Sequence, residues 1–433
     1  MTIERSRHRI LFTSLGSLGD LHPVIGMALE MKQRGHLVYI ASTPLYREKI
    51  EGLGLGFRPL RPDWNPQDTE LIAQCEDMRR GTEILLRKLV LPHLRDTYVD
   101  LLAAADGMDM MIAGEMVYPA PLVAEKLQLT WASAILSPCT LFSVYDPPVL
   151  PNVPELQYLR WMGPRAHRVM LRLSSVTIDH WWKPIRDLRK QEGLGPGRNP
   201  LFADKFSPEL VLALFSQQLA RPQLDWPANT VQPGFMFHDE SSAGETLPDE
   251  LERFLANGTA PIAFTLGSTA VHNPGRFYAE SVKAARRLGR RALLIGADET
   301  VRATGEDVFM TRYAPYSQVF ARCAVIVHQG GVGTTGMAMR MGKPMLIVPY
   351  GWDQPDQAAR IVRMGVGLTI ARKRYSAERA AKALKRLLEE ESFTRRVGEM
   401  QQAMQAEDGR ASACDAIEQV LMRQSYCTLL LSS

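Results

Sequence analysis

A chain of 433 residues exceeds what one hydrophobic core ordinarily holds, so two domains are expected. With 45% hydrophobic and 23% charged residues it has the make-up of a globular protein with a full core, which excludes a disordered or fibrous chain. The formal net charge is only +4 and basic residues are dispersed among acidic ones, which argues against nucleic acid as a partner.

The polar N-terminal segment leads straight into a strand at residues 9–13, with no secretory signal visible. A loop over 16–23 follows, then an amphipathic helix at 24–34 ending at Gly35 and a strand at 36–41. Strands at 110–113 and 131–135 flank a helix at 121–127. From 147 to 197 the pattern turns helical, irregular and rich in Trp and Pro. Residues 221–248 hold four prolines and the polar run 239–244, as an interdomain linker would. A second alternation then begins: strand 261–265, helix 277–288, and strands 291–295, 324–327 and 345–348. Two long helices, 377–391 and 394–423, close the chain. Short apolar strands alternating with helices predict an α/β protein with parallel sheets covered on both faces, in two Rossmann-like halves.

No apolar stretch approaches the ~20 residues that span a bilayer. The cysteines, Cys75, Cys139, Cys323, Cys414 and Cys427, are odd in number and lack metal-type spacing, which suits free thiols. A soluble, cytoplasmic protein is therefore expected, with its oligomeric state unreadable.

The most specific stretch is His328-Gln329-Gly330-Gly331-Val332-Gly333-Thr334-Thr335. A strand that ends in His and Gly and opens into a helix brings together backbone N–H groups, two hydroxyls and an imidazole that a proton would make cationic. That set suits a diphosphate. Asp353-Gln354, between Pro349 and Pro355, adds groups of the kind that grip sugar hydroxyls. Together with Tyr313-Ala314-Pro315 and Gly342-Lys343-Pro344, the order and spacing resemble the donor-binding signature of family 1 glycosyltransferases. The opening Gly16-Ser17-Leu18-Gly19-Asp20-Leu21-His22-Pro23 looks like that of bacterial members. Asp225-Trp226-Pro227 and residues 251–255 and 264–269 resemble the subgroup that contains rhamnosyltransferases of glycolipid synthesis and UDP-glucosyltransferases.

The resemblance implies the GT-B architecture, two Rossmann-like domains facing across a cleft. It assigns residues 1–235 to the acceptor, 236–405 to the nucleotide sugar, and 406–433 to a helix and tail packing back on the first domain. It further implies an inverting, metal-independent transfer of a sugar from UDP-glucose, or else dTDP-rhamnose, to a hydroxyl of a small lipophilic acceptor. The nucleotide sugar is a co-substrate, and no other cofactor is implied. Asp-any-Asp spacing of metal-dependent enzymes is absent, the nearest pattern being Asp106-Gly107-Met108-Asp109. A non-catalytic nucleotide-sugar-binding protein and a sugar-nucleotide epimerase are the alternatives.

Asp20 takes the family's position of the general base; without the resemblance, Asp ahead of Pro reads first as a helix cap. His22 is its rival, since a free imidazole titrates near ~6.5. On the donor side the resemblance assigns phosphate contacts to His328, Gly330, Gly331, Gly333, Thr334 and Thr335, a phosphate or nucleoside contact to Ser268, base stacking to Tyr313, and sugar hydroxyls to Asp353 and Gln354. A simple turn at Ser268, a core Tyr313 and a buried strand-end His328 are the plain alternatives. Glu115, Trp181 and Trp182 are candidates for the acceptor side. Gly336 stands where the plant-type motif has a ribose-holding glutamate, so neither ribose nor deoxyribose is favoured.

Overall fold

The computed structural model describes residues 7–63, 68–238, 246–297, 301 and 305–431. Seven parallel strands form the first sheet: β1 (Arg9–Ser14), β2 (Leu37–Ser42), β3 (Gly56–Pro59), β4 (Met110–Gly114), β5 (Thr130–Ile135), β6 (Leu210–Ala213) and β7 (Thr230–Val231). Their order is β3-β2-β1-β4-β5-β6-β7. Six more form the second: β8 (Ile262–Thr265), β9 (Ala292–Ile295), β10 (Val308–Thr311), β11 (Val325–His328), β12 (Met345–Ile347) and β13 (Gly367–Thr369), in the order β10-β9-β8-β11-β12-β13. Every described pairing is parallel. All residues of β6, β8, β9 and β11 are buried, as strands covered by helices on both faces must be. Both sheets thus follow the 3-2-1-4-5-6 order of the doubly wound fold.

Six helices matter for the site: α1 (Leu18–Gln33), α2 (Gly163–Ile178), α3 (Val332–Arg340), α4 (Gln354–Met364), α5 (Glu391–Gln405) and α6 (Gly409–Leu431). The loop expected over 16–23 is shorter than predicted, because α1 begins at Leu18 with Pro23 inside it. A capping box explains the early start. Ser17 and Asp20 satisfy each other's backbone N–H groups, which stabilises the first turn well before the apolar periodicity becomes legible.

The helix expected over 394–423 is also two helices, α5 and α6. Between them Glu407 turns aside to accept a 2.6 Å hydrogen bond from Ser216 Oγ in the first half. α6 then crosses back: Cys414, Ile417 and Leu421 pack with Leu21, Val24 and Ile25 of α1. Arg34 fixes the crossing through Asp415 at 2.6 Å and Glu418 at 2.9 Å. The stretch predicted as an open linker is folded inward up to residue 238. Trp226 meets Phe215 edge-on at 5.9 Å, and Phe235 is buried. Its polar run 239–244 lies outside the described residues. Cys75, Cys139, Cys323 and Cys414 are unpaired and buried, and the side chain of Cys427 lies outside the described residues.

Candidate active site

In a doubly wound sheet, ligands collect beyond the carboxyl ends of the strands where the winding direction reverses. That point lies between β1 and β4 in the first sheet, and between β8 and β11 in the second. β1 leads to Asp20, β4 to Glu115, β8 to Ser268 in a one-turn helix (Gly267–Ala270), and β11 to the 328–331 turn. The topology therefore delivers most of the candidates by itself.

The second sheet offers an open helix N-terminus. Gly331 is the N-cap of α3 and supplies no side-chain cap, so the first-turn N–H groups stay available. Gly330 has φ +99°, and a Cβ there would sit 2.8 Å from Ile347 and 3.3 Å from the Gln354 carbonyl. Only glycine fits. Around this turn three buried polar atoms have no partner among the described residues: His328 Nε2, Gln329 Oε1 and Thr335 Oγ1. Buried polar groups are normally bonded, so such a cluster is what an absent polar ligand would satisfy. Thr334 is buried beside them, partly buried Ser268 stands across the turn, and Gly333 faces open space.

His328 is not cationic, contrary to the charge its position suggested. Its ring is fully buried, and burial pushes its pKa down to about 3. The Gly330 N–H donates to Nδ1 at 3.1 Å, which fixes the tautomer with the proton on Nε2. It is thus a neutral donor whose N–H lacks an acceptor. Gln329, part of that motif stretch but given no role there, also leaves a buried polar atom without a partner among the described residues, in its case the acceptor Oε1.

Tyr313 is 49% exposed, which removes the alternative of a core tyrosine. Asp353 is the N-cap of α4, and burial, with a further push from the Asp20 charge, raises its pKa to about 7 despite a hydrogen bond with Ser137. Gln354 is less available than expected. Its Oε1 accepts from the N–H groups of Tyr350 at 2.7 Å and Gly351 at 3.2 Å, so the amide nitrogen is the end left for a ligand. Between them Trp352 adopts φ +53°, a left-handed conformation that costs a bulky side chain on the order of 1–3 kcal/mol. Its indole N–H is buried and has no hydrogen-bond partner among the described residues.

On the first sheet, Asp20 Oδ2 accepts from Ser17 N at 2.8 Å and Ser17 Oγ at 3.1 Å. The capping role is therefore real, yet it does not exclude chemistry. Burial raises the carboxyl to about 6, with Glu115 adding to the push, which sets it near the pH at which it would work as a base. His22 lies two residues on, ~200° around the helix, with its ring edge-on to His238 at 5.6 Å. The two side chains cannot occupy one position.

Glu115 is held by Lys205 at 3.2 Å and by the Leu136 N–H at 3.3 Å. With Tyr118, Trp131 and Ile185 it lines a small cavity. The tryptophans are different. Trp182 is wholly buried against Tyr118 at 5.3 Å, and Trp181 packs at the edge of the same core. Neither is among the residues that line that cavity. Their aromatic run carries no sign of which side of the core it faces.

Polar contacts hold the two walls together. Ser137 Oγ accepts from Gln357 at 3.1 Å, Asp356 accepts from the Val149 N–H at 2.9 Å, and Arg360 bridges Asp356 and Asp146. Buried Glu76 receives Asn273 at 3.2 Å and Arg372 at 3.3 Å. The Asp20–Asp353 coupling lies within this junction.

Two tandem doubly wound sheets, joined at their carboxyl ends with an uncapped helix N-terminus on one wall and a carboxylate on the other, define a glycosyltransferase of the GT-B type. The model of the erythromycin biosynthesis protein CIII-like C-terminal domain matches residues 292–419. The O-mycaminosyltylonolide 6-deoxyallosyltransferase of Streptomyces fradiae is 30% identical over 425 residues, covering 95% of this chain and 97% of its own. Glycosyltransferase GtfE of Amycolatopsis orientalis is 28% identical over 94% of this chain and 97% of its own. The solved spinosyn rhamnosyltransferase SpnG, complexed with thymidine diphosphate, shares the fold with a TM-score of 0.67 and 17% identity, covering 95% of this chain and 100% of that one. The chain belongs to the family 1 glycosyltransferases and is an enzyme of that class.

Proposed function

We propose an inverting, metal-independent transfer of a hexose from a nucleoside diphosphate to a hydroxyl of a small lipophilic acceptor. The observation that carries this reading is the uncapped N-terminus of α3 with its unpartnered polar atoms, set across the junction from Asp20. Asp20 takes the proton of the acceptor hydroxyl. The oxygen then attacks the anomeric carbon on the face opposite the diphosphate, and the bond to the phosphate oxygen breaks with its electron pair. The first-turn N–H groups of α3, the His328 Nε2–H and the Thr334 and Thr335 hydroxyls receive the charge that develops on the leaving group. Asp353 and the Gln354 amide hold sugar hydroxyls, and Tyr313 stacks on the base. Glu115 and its cavity take the acceptor.

The donor is a uridine or thymidine diphosphate sugar, UDP-glucose and dTDP-rhamnose being the first to try. At Gly336 a Cβ would lie 2.8 Å from the Phe235 ring, so the chain has a phenyl ring where a ribose-holding carboxylate would stand. That favours use of a thymidine donor alongside uridine, as does the thymidine diphosphate of the solved spinosyn enzyme.

The test is to incubate the full chain with UDP-glucose, UDP-galactose or dTDP-rhamnose and a panel of phenolic, terpenoid and hydroxy-fatty-acid acceptors. Nucleoside diphosphate should be released only with an acceptor present and equally in the presence of a chelator. NMR of the product should show the anomeric configuration inverted. Retention, a chelator-sensitive rate, or conversion of the donor without acceptor would overturn the reading.

A further inference from the structure

Most helices here bury an apolar stripe. α2 does not: of its 16 residues only His167 is buried. Six large apolar side chains between residues 158 and 176 lie open to solvent instead: Tyr158 (73% exposed), Trp161 (81%), Met162 (45%), Val169 (57%), Leu173 (64%) and Val176 (75%). They are not scattered. Val169, Leu173 and Val176 follow at i, i+4 and i+7, which puts them in one stripe. Arg165, Arg168 and Arg172 run beside it, all exposed, with no ion pair among the described residues, and α2 itself contains no acidic residue. A shallow, largely apolar groove lined by Phe142, Leu156, Met170 and Leu171 flanks the helix.

A helix in a folded protein draws most of its stability from burying its apolar face, and an outward apolar face calls for a cover. The unpaired arginines select it. A second copy of this face would set arginines against arginines, whereas an anionic phospholipid surface complements charge and apolar stripe together. We propose that α2, with Tyr158 and Trp161 at its leading end, docks the protein on the surface of an anionic phospholipid bilayer without crossing it. No described helix is long and apolar enough to span a membrane, which fits a helix lying in the interface. The proposal does not depend on which sugar or acceptor the cleft takes.

Sedimentation of the full chain with phosphatidylcholine vesicles, with and without phosphatidylglycerol, tests it. The protein should bind the mixed vesicles and release from them as salt rises, and should bind the neutral vesicles weakly. Replacing Arg165, Arg168 and Arg172 together by Gln should weaken partition roughly a hundredfold, while Lys at the same positions should retain it. Leu173→Asp should also abolish binding. Melting temperature and nucleoside diphosphate affinity, measured on each variant, should match the unaltered protein, and the Lys variant reports on charge even where another variant misfolds. Failure of the unaltered chain to bind mixed vesicles would overturn the proposal, as would binding that the Gln and Leu173→Asp variants leave unchanged. A dimer in light scattering that Leu173→Asp dissolves, without vesicle binding, would assign the face to a second copy.

Discussion

The two sheets present the same topology twice, yet the helices that follow their inner strands end differently. α1 is closed by its own Ser17–Asp20 box, whereas α3 begins at a glycine with no side-chain cap. Closure at α1 leaves a carboxyl facing the junction, and burial holds it at about 6. Openness at α3 leaves first-turn N–H groups without a side-chain cap and an imidazole Nε2–H without a partner among the described residues. In the proposed reaction, one fold thereby supplies a base from its capped end and an anion site from its uncapped end. The difference rests on two residues per turn.

The largest expected effect breaks the capped side. Asp20→Asn keeps an oxygen able to accept from the Ser17 N–H but cannot take a proton. Turnover should fall roughly a hundredfold or more, with melting temperature and nucleotide affinity retained. Steady-state rates beside a titration with UDP and dTDP check it. Loss of affinity in parallel would mean the substitution had disturbed the junction and not the base.

On the uncapped side, His328→Ala should weaken binding of a nucleoside diphosphate by roughly ten- to a hundredfold, the value of a neutral donor to a charged phosphate. Calorimetry at pH 6 and at pH 8 should give the same loss, because a group titrating at about 3 is neutral at both. A loss confined to pH 6 would restore the cationic imidazole.

Much of this contrast was legible in the sequence. The order of motifs fixed the fold class, and the strands at 9–13, 110–113 and 324–327 recur within a residue or so as β1, β4 and β11 because each is built on a short apolar run. β3, β6, β7, β10 and β13 escaped notice: all are two to four residues long, and all but the buried β6 lie at the sheet edges, where half-exposure blurs the pattern. The charge of His328, the spent oxygen of Gln354 and the interior position of Trp182 depend on what surrounds them, which spacing does not encode. Ser137 and Trp352 carried no signal at all. One comes to the junction only through the meeting of the two halves, the other through a backbone angle.

A smaller effect tests the coupling between the walls. Asp353 has its pKa raised to about 7 in the fold against an ordinary 3.8, so the native state holds its proton more tightly than the unfolded chain does. Its ionisation therefore removes stability as pH rises through about 7. Asp353→Asn should melt at a higher temperature than the unaltered protein at pH 8, with the gain gone below pH 4, where both carboxyls are protonated. Melting curves across that range decide it. A gain that persists at low pH would trace to packing instead.

The smallest expected effect concerns His22, and it separates two readings that a pH profile alone cannot. Burial has moved Asp20 to about 6, well above the ordinary carboxylate range, so the pH of an acid-side fall in rate does not by itself name the base. Position distinguishes them. His22 lies ~200° around α1 from Asp20 and packs against His238, so its removal takes away a ring contact and leaves the capping box whole. His22→Ala should keep turnover within a few-fold and keep the acid limb of the kcat/KM profile in place, with the main change in KM for the acceptor. If the limb disappears in His22→Ala and survives in Asp20→Asn, the proton goes to the imidazole, and the capping box serves only to hold the helix that presents it.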